Sequence, residues 1–470
     1  MSRAELLEKE LSHCMSELSF LNADTSAIQG RSRKLIISSG DISDPDGFYA
    51  IAQYAKTGAD VLFVMNYPAY LKEEENSGEQ ETGLGFKYDA DTFMTYCRNH
   101  LMDTTANDKA AEAFKEYTKV MDMYKKGDVG SKMKMKDAMD AIAFTLLHVI
   151  WKEQLNADKG RLYFCKGGVN DINPFNFPIL KNEVFVYASI YTDHTVQTHP
   201  TMSLGSGNAQ ECGGPTVCRT NTFTLLDGRD AIYIDFNGSM AFLDNQWRIK
   251  LISVRKKIKG AFVLGGVMAT ERPQTMPASA GIVNRLSCAT MNQLFSPASA
   301  SAFFSLMATC DVPIFIVPNN TVGTISDSNT PDDINDFLDA NEIGTATIKR
   351  VANLYYFSRY NPPPKAFDLY SALALKLFLQ DPDGFPKTSQ KTVHFDEKYG
   401  ATVVHDTTDW HDAVRNYKIQ VMQSGNYTKK PDAFENEFRI IEKLDTRCVE
   451  VRVVSFKKNA SNKLSVVDAP

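Results

Sequence analysis

The sequence predicts an α/β fold, a mostly parallel central sheet flanked by helices. Short runs rich in Val, Ile and Phe recur at KLIISS, ADVLFV, AIYIDF, GAFVLGGV and VPIFIVP, most of them bounded by Gly, Pro, Asn or Asp. That is the pattern of strands buried on both faces. Between them lie FYAIAQYAKTG and SPASASAFFSLMATC, whose apolar residues repeat at three- and four-residue spacing and so read as helices. The alternation of strand and helix then implies βαβ units and parallel strands.

In chain order, residues 1–30 read as a charged amphipathic helix and a polar connector, without the apolar core of a secretory signal. KLIISSGDISDPDGFYAIAQYAKTGADVLFV (34–64) is strand, turn, helix and strand. Residues 72–136 open on the acidic KEEENSGEQE and read as an insertion facing solvent. DAMDAIAFTLLHVIWKEQL (137–155) is a helix with a core-facing stripe, followed by strands at RLYFCKGG and VFVYASIYT. Residues 193–228, rich in Thr, Gly, Ser and Asn, read as loop. Pro362, Pro363 and Pro364 end a segment, and DLYSALALKLFLQ (368–380) begins a helix at Asp368. Beyond 385 the shorter runs KTVHFD, ATVVHD and CVEVRVVSF suggest a small mixed or antiparallel element. The organisation expected is an N-terminal extension (1–30), an α/β domain (31–385) interrupted at about 72–136, and a β-rich C-terminal extension (386–470).

Bulk properties exclude several classes. With 470 residues, 43% hydrophobic and 23% charged, the chain has the makings of a soluble globular protein with a large core. A net charge of -6 gives no electrostatic footprint for nucleic acid. The basic stretches at 125–136 and 248–260 read as solvated faces or helix ends. No apolar run approaches the ~18 residues of a membrane span, and a cytoplasmic setting is expected. The 8 cysteines include no CxxC pair and read mostly as buried free thiols in a reducing compartment. Cys212 and Cys218 could pair locally but supply too few ligands for zinc.

Candidate sites are sparse. Asp41, Asp44 and Asp46 crowd the turn after the first strand. Asp, Pro and Gly are ordinary turn and capping residues, yet strand ends in α/β proteins also open into ligand crevices. His394, His405 and His411 lie near Asp406, Asp409 and Asp412, without the periodic spacing of co-ligands, so a solvated helix start is the expected reading. LGGV (264–267) lacks the dinucleotide fingerprint, and TMSLGSGNAQECGGP lacks the Walker pattern.

In order and spacing, several segments together resemble the nucleoside hydrolase family, including its divergent members. The 34–64 stretch is similar to the family's strand, Asp-rich loop and helix. YIDFNGSMAFL (233–243) stands where the family has a strand and a G-P-L-T-N-L-A loop. IKGAFVLGGVMATE (258–271) is similar to the strand ending in Met-Gly-Gly. NQLFSPASASAFFSLMATCDVPIFIVPNNT (292–321) is similar to the N-x-x-x-D-P segment with its helix and Pro-led strand, and FDLYSALAL (367–375) to the H-D-P-L-A segment.

The resemblance implies hydrolysis of the N-glycosidic bond of ribonucleosides at a Ca²⁺ ion. It places Asp41, Asp46 and Asp368 as metal-binding acids, with Asp41 and Asp46 also serving catalysis. Gly238 would offer its carbonyl to the metal, and Asn66 and Asn292 would bind the ribose of a nucleoside or ribose-like small molecule. A homo-oligomer is implied as well. The chain departs from the family at Gly47, Ser296, Thr290 and Phe367, where the family carries Asp, Asp, Glu and His. The alternative is a catalytically inactive member kept as a structural or assembly protein.

Overall fold

The computed structural model describes residues 33–41, 46–67, 151–154, 160–171, 208–212, 219–272, 286–323, 331–349, 366–424 and 431–469, with single positions at 143, 147, 150 and 352. The leading helix expected over 1–30, the insertion at 72–136, the VFVYASIYT strand and the 362–364 proline run lie outside the described residues.

One sheet organises the chain. Its strands are β1 (Lys34–Asp41), β2 (Asp60–Tyr67), β3 (Leu162–Val169), β4 (Asn208–Cys212), β5 (Arg219–Asn221), β6 (Ala231–Phe236), β7 (Ile258–Leu264), β8 (Val267–Met268), β9 (Ile314–Val317), β10 (Ser389–Phe395), β11 (Thr402–His405) and β12 (Arg447–Val453). The spatial order is β5-β4-β3-β2-β1-β6-β7-β9-β12-β10-β11-β8. From β3 through β12 neighbours run parallel, as the apolar runs predict. Antiparallel pairs occur towards the edges, at β3–β4, β4–β5, β12–β10 and β10–β11. A separate hairpin pairs β13 (Ser455–Lys458) with β14 (Leu464–Val467).

The helices are α1 (Asp46–Tyr54), α2 (Thr222–Asp227), α3 (Asn245–Ser253), α4 (Met291–Leu294), α5 (Pro297–Thr309), α6 (Asn319–Gly323), α7 (Pro331–Ala340), α8 (Asp368–Gln380), α9 (Trp410–Gln423) and α10 (Pro431–Ile441). They cover both faces of the sheet, so alternate residues of one strand enter different cores. Ile36, Phe63, Phe262 and Phe315 pack with α1, α7 and α8 on one face. Leu62, Val64 and Val263 meet Trp247 of α3 and Phe303 of α5 on the other. A third core joins α9 and α10 through Tyr417, Val421 and Phe438. Each fully buried side chain of this size contributes about 1.5–3 kcal/mol relative to exposure. Ala143, Leu147, Ile150 and Trp151 are buried, which matches the stripe expected over 137–155.

One expectation changes. Residues 193–228 are not all loop, because β4, β5 and α2 lie within them. Their polar composition hid short edge strands that need little apolar content. The β-rich segment expected after 385 is present with mixed pairing, and it joins the main sheet: β12 pairs in parallel with β9, Arg452 opposite Phe315 and Val453 opposite Ile316. Alternation in a strand reports a half-buried face but not which strand lies beside it.

Candidate functional site at the strand ends

The chain builds outward from β1 to β2 and β3, then returns to β6 on the other side of β1. In open α/β sheets ligands bind beyond the C-terminal strand ends at such a reversal. Asp41 is the last residue of β1, opposite Asn66 of β2, and its side chain lies outside the described atoms. Asn237 and Gly238 follow β6. A Cβ at Gly238 would stand 2.9 Å from both Gly40 Cα and Ser39 O, so glycine is what lets the two strand ends approach this closely.

Asp46 opens α1 and Asp368 opens α8, and both are buried. Asp46 Oδ2 accepts the backbone N–H of Asp368 at 3.2 Å. The first acid of one helix thereby caps the other, where helix dipoles favour negative charge. Gly47 stands beside the pair: a Cβ there would lie 3.6 Å from Asp368 Oδ2, an ordinary contact.

Asn66 and Asn292 hold backbone. Asn66 Nδ2 donates to Ser239 O (2.6 Å) and its Oδ1 accepts from Gly168 N–H (3.3 Å). Asn292 Nδ2 donates to Asn237 O (2.8 Å) and more weakly to Leu264 O (3.4 Å). Together they tie the ends of β2, β3, β6 and β7.

The departures from the family pattern are knitted in the same way. Thr290 Oγ1 accepts from Gly266 N–H at 2.9 Å and bonds the Gln293 side chain. Ser296 Oγ accepts from Asp171 N–H at 3.3 Å, and Phe367 packs against the core at the start of α8.

Asp235, on β6, is a buried acid that sequence reasoning passed over. It is 0% exposed, and neither carboxylate oxygen has a hydrogen-bond partner among the described residues. Ser371 of α8 is close enough to favour the charged form somewhat, but its hydroxyl proton goes to Asp368 O at 3.2 Å. Burial dominates and pushes the Asp235 carboxyl well above the usual carboxylate range. Ser39 Oγ and Asn237 Nδ2 are likewise buried without a hydrogen-bond partner among the described residues. The available signal was a lone acid inside the apolar run AIYIDF, at the position in register with Ser38 of β1.

Elsewhere, His394 and His405 are not at a solvated helix start. They are buried side chains of β10 and β11. His394 Nε2 meets Thr407 O at 2.8 Å, and His405 Nδ1 accepts from Thr407 N–H at 3.1 Å. Only His411 belongs to the helix start, where Asp409 caps α9. Cys165 and Cys288 are buried and in no disulfide among the described residues, whereas Cys310 is half-buried and Cys448 exposed. The side chains of Cys212 and Cys218 lie outside the described atoms.

Among the described residues no group of three or more His, Cys, Asp or Glu stands where it could hold a metal ion. The described acids therefore meet a calcium ion's requirement of roughly 6–8 oxygens only in part, through Asp46 and Asp368. No helix of the described residues is long and apolar enough to cross a membrane.

No protein-family model and no curated protein matches the sequence. Among solved structures, the fold is similar to that of the type III effector protein XopQ complexed with adenosine diphosphate ribose. The TM-score is 0.36 at 10% identity, over 84% of this chain and 93% of that one. A likeness that distant says nothing of activity.

Proposed function

We propose that this chain is a divergent nucleoside hydrolase-like protein whose strand-end crevice takes a nucleoside or another ribose-bearing small molecule. The observation behind the reading is the Asp46–Asp368 bond at the strand ends, which joins two acids 322 positions apart beside the end of β1. In this reading Asp41, Asp46 and Asp368 with the Gly238 carbonyl hold Ca²⁺. Such an ion would acidify a bound water and orient the ribose hydroxyls. Asp46 or Asp41 would accept the water's proton, and the buried polar set around Asn237 and Asn292 would orient the sugar.

Calorimetric titration with Ca²⁺, beside an assay of ribose release from purine and pyrimidine nucleosides, tests the reading. Calcium binding and release abolished by Asp46→Ala are expected. Neither binding nor release sinks it.

A second reading, a catalytically inactive fold retained for assembly as a homo-oligomer, has its own support. Asn66 and Ser296 bond backbone, and Thr290 bonds backbone and the Gln293 side chain. The exposed large apolar side chains of the described residues, Ile419, Met422 and Ile440, all belong to α9 and α10. Light scattering of wild type and Met422→Lys separates the readings. A multimer that Met422→Lys dissociates, with no ribose release, favours assembly, and a monomer at all concentrations removes it.

A further inference from the structure

The helices α1 and α8 that bring Asp46 and Asp368 together at their N-termini also meet at their other ends. There Lys56, just beyond α1, Lys376 of α8 and Lys463, leading into β14, surround Glu342. Lys56 Nζ stands 3.6 Å from Glu342 Oε2 and also reaches Glu342 O. Lys463 Nζ is 3.5 Å from Glu342 Oε1. Lys376 Nζ donates to Gln53 Oε1 at 3.0 Å. Gln53 is itself 1% exposed, with its Nε2 fixed on Asn341 O at 3.1 Å, so the lysine is held on a built support.

Helix C-termini attract lysines in their own right. That effect does not account for Lys463, which comes from the β13–β14 hairpin, or for Glu342. Glu342 follows α7 with φ 62°, its N–H on Asp339 O and the next N–H on Leu338 O, the helix-ending turn that glycine favours. A glutamate in the left-handed region is a conformational cost, and its carboxylate lies where three ammonium groups converge. The three lysines hold that carboxylate below its ordinary pKa, Lys56 most strongly. Burial and Lys56 in turn lower the Lys376 ammonium, as expected where positive charge is in excess.

With the Glu342 carboxylate displaced, three cations stand against the one remaining carboxylate, that of Asp381. The net of two positive charges suits a dianion. The glutamate side chain is 57% exposed, so displacing it from the lysines disturbs little packing. The adjoining cavity of about 600 Å³ is walled by Leu373, Leu377, Phe385 and Leu464. Its other acid, Asp381, is turned to Gly384 N–H at 2.9 Å. We propose that this cavity is a binding site for a small phosphomonoester with an apolar body, the phosphate replacing the Glu342 carboxylate among Lys56, Lys376 and Lys463 and the body lying against Leu377 and Phe385. It stands at the opposite end of α1 and α8 from the strand-end crevice and does not depend on the reading given to that crevice.

The probes are phenyl phosphate and inorganic phosphate, titrated calorimetrically into the full chain at constant ionic strength. Phenyl phosphate is expected to bind at least about tenfold more tightly than inorganic phosphate, because only it fills the apolar wall. Lys463→Met, at a half-exposed position that leaves the core intact, and Lys376→Met should each weaken it about tenfold or more. Glu342→Gln should tighten it, a gain that misfolding cannot imitate. Absence of binding to the folded wild type, equal binding in the lysine variants, or weaker binding in Glu342→Gln overturns the proposal. So does equal displacement by chloride, which marks screening only.

Discussion

Asp60 and Asp235 are both fully buried acids of the same sheet, yet they are treated in opposite ways. Asp60 begins β2, at the N-terminal strand ends. Its Oδ2 takes Arg229 Nη1 at 2.7 Å and its Oδ1 accepts Arg161 N–H at 2.8 Å. Asp235 lies near the C-terminal end of β6 with neither oxygen hydrogen-bonded among the described residues. Burial raises both carboxyls, but at Asp60 the Arg229 guanidinium pulls back. The sheet thus uses a buried acid as a strut at one end and leaves another unsatisfied at the end where α/β proteins bind ligands. Unsatisfied buried polar groups in native structures call for a functional or proton-holding reason.

The sharpest way to break that comparison is to remove the strut. Arg229→Met leaves Asp60 buried and unpaired, and should cost about 3–5 kcal/mol of unfolding free energy in urea. The double variant Asp60→Leu with Arg229→Met should recover most of the loss, since an apolar pair of similar size often replaces a buried ion pair without penalty. A single-variant loss under about 1 kcal/mol would place Asp60 in the same class as Asp235.

Asp235→Val should act in the other direction. It removes an unsatisfied acid from a strand interior and replaces it with a β-branched side chain of similar volume, so stability should rise by about 1–3 kcal/mol. If the acid serves the crevice, the stabilised variant will also lose ligand binding, the usual trade at functional positions. Destabilisation instead would mean that Asp235 has a structural partner after all.

How much of this was legible beforehand follows from what each signal reports. AIYIDF and DLYSALALKLFLQ became β6 and α8 with the expected bounds, because apolar periodicity reports burial directly. Asp46 and Asp368 were named from a resemblance, and the structure places one against the other. Their hydrogen bond could not be read from spacing, since it joins two helix starts through the tertiary fold. Asp235 was passed over because a single acid in an apolar run resembles an edge-strand or turn residue until its neighbours on both sides are known. His394 and His405 were misread for a related reason: their Asp neighbours in sequence suggested solvent, whereas the antiparallel pairing of β10 and β11 turns both inward.

A smaller effect tests the acid pair itself. Gly47→Asp adds a carboxylate at a position whose Cβ would make only an ordinary contact, with Asp368. Without calcium, like-charge crowding should lower stability by about 1 kcal/mol. With calcium the added ligand should reverse that loss and tighten binding. A thermal melt in chelator and in calcium reads both. A variant indifferent to calcium would reduce the Asp46–Asp368 contact to a helix cap.

The smallest effect separates Asp235 from the histidines by sign. Burial lowers the His394 and His405 pKa values, so the folded chain binds fewer protons there than the unfolded one. Their contribution is present above the free imidazole value of about 6.5 and is lost as pH falls below it. Asp235 works the opposite way. Its raised carboxyl stabilises the fold below about pH 3.9 and costs stability as pH rises toward its folded value. Wild type should therefore lose stability between about pH 7.5 and about pH 5.5 through the histidines. His394→Asn with His405→Asn should flatten that slope. Asp235→Val should remove the opposing slope of the raised carboxyl, so that the loss through the histidines on acidification becomes steeper, and the urea midpoint measured across this range decides whether the two groups act independently.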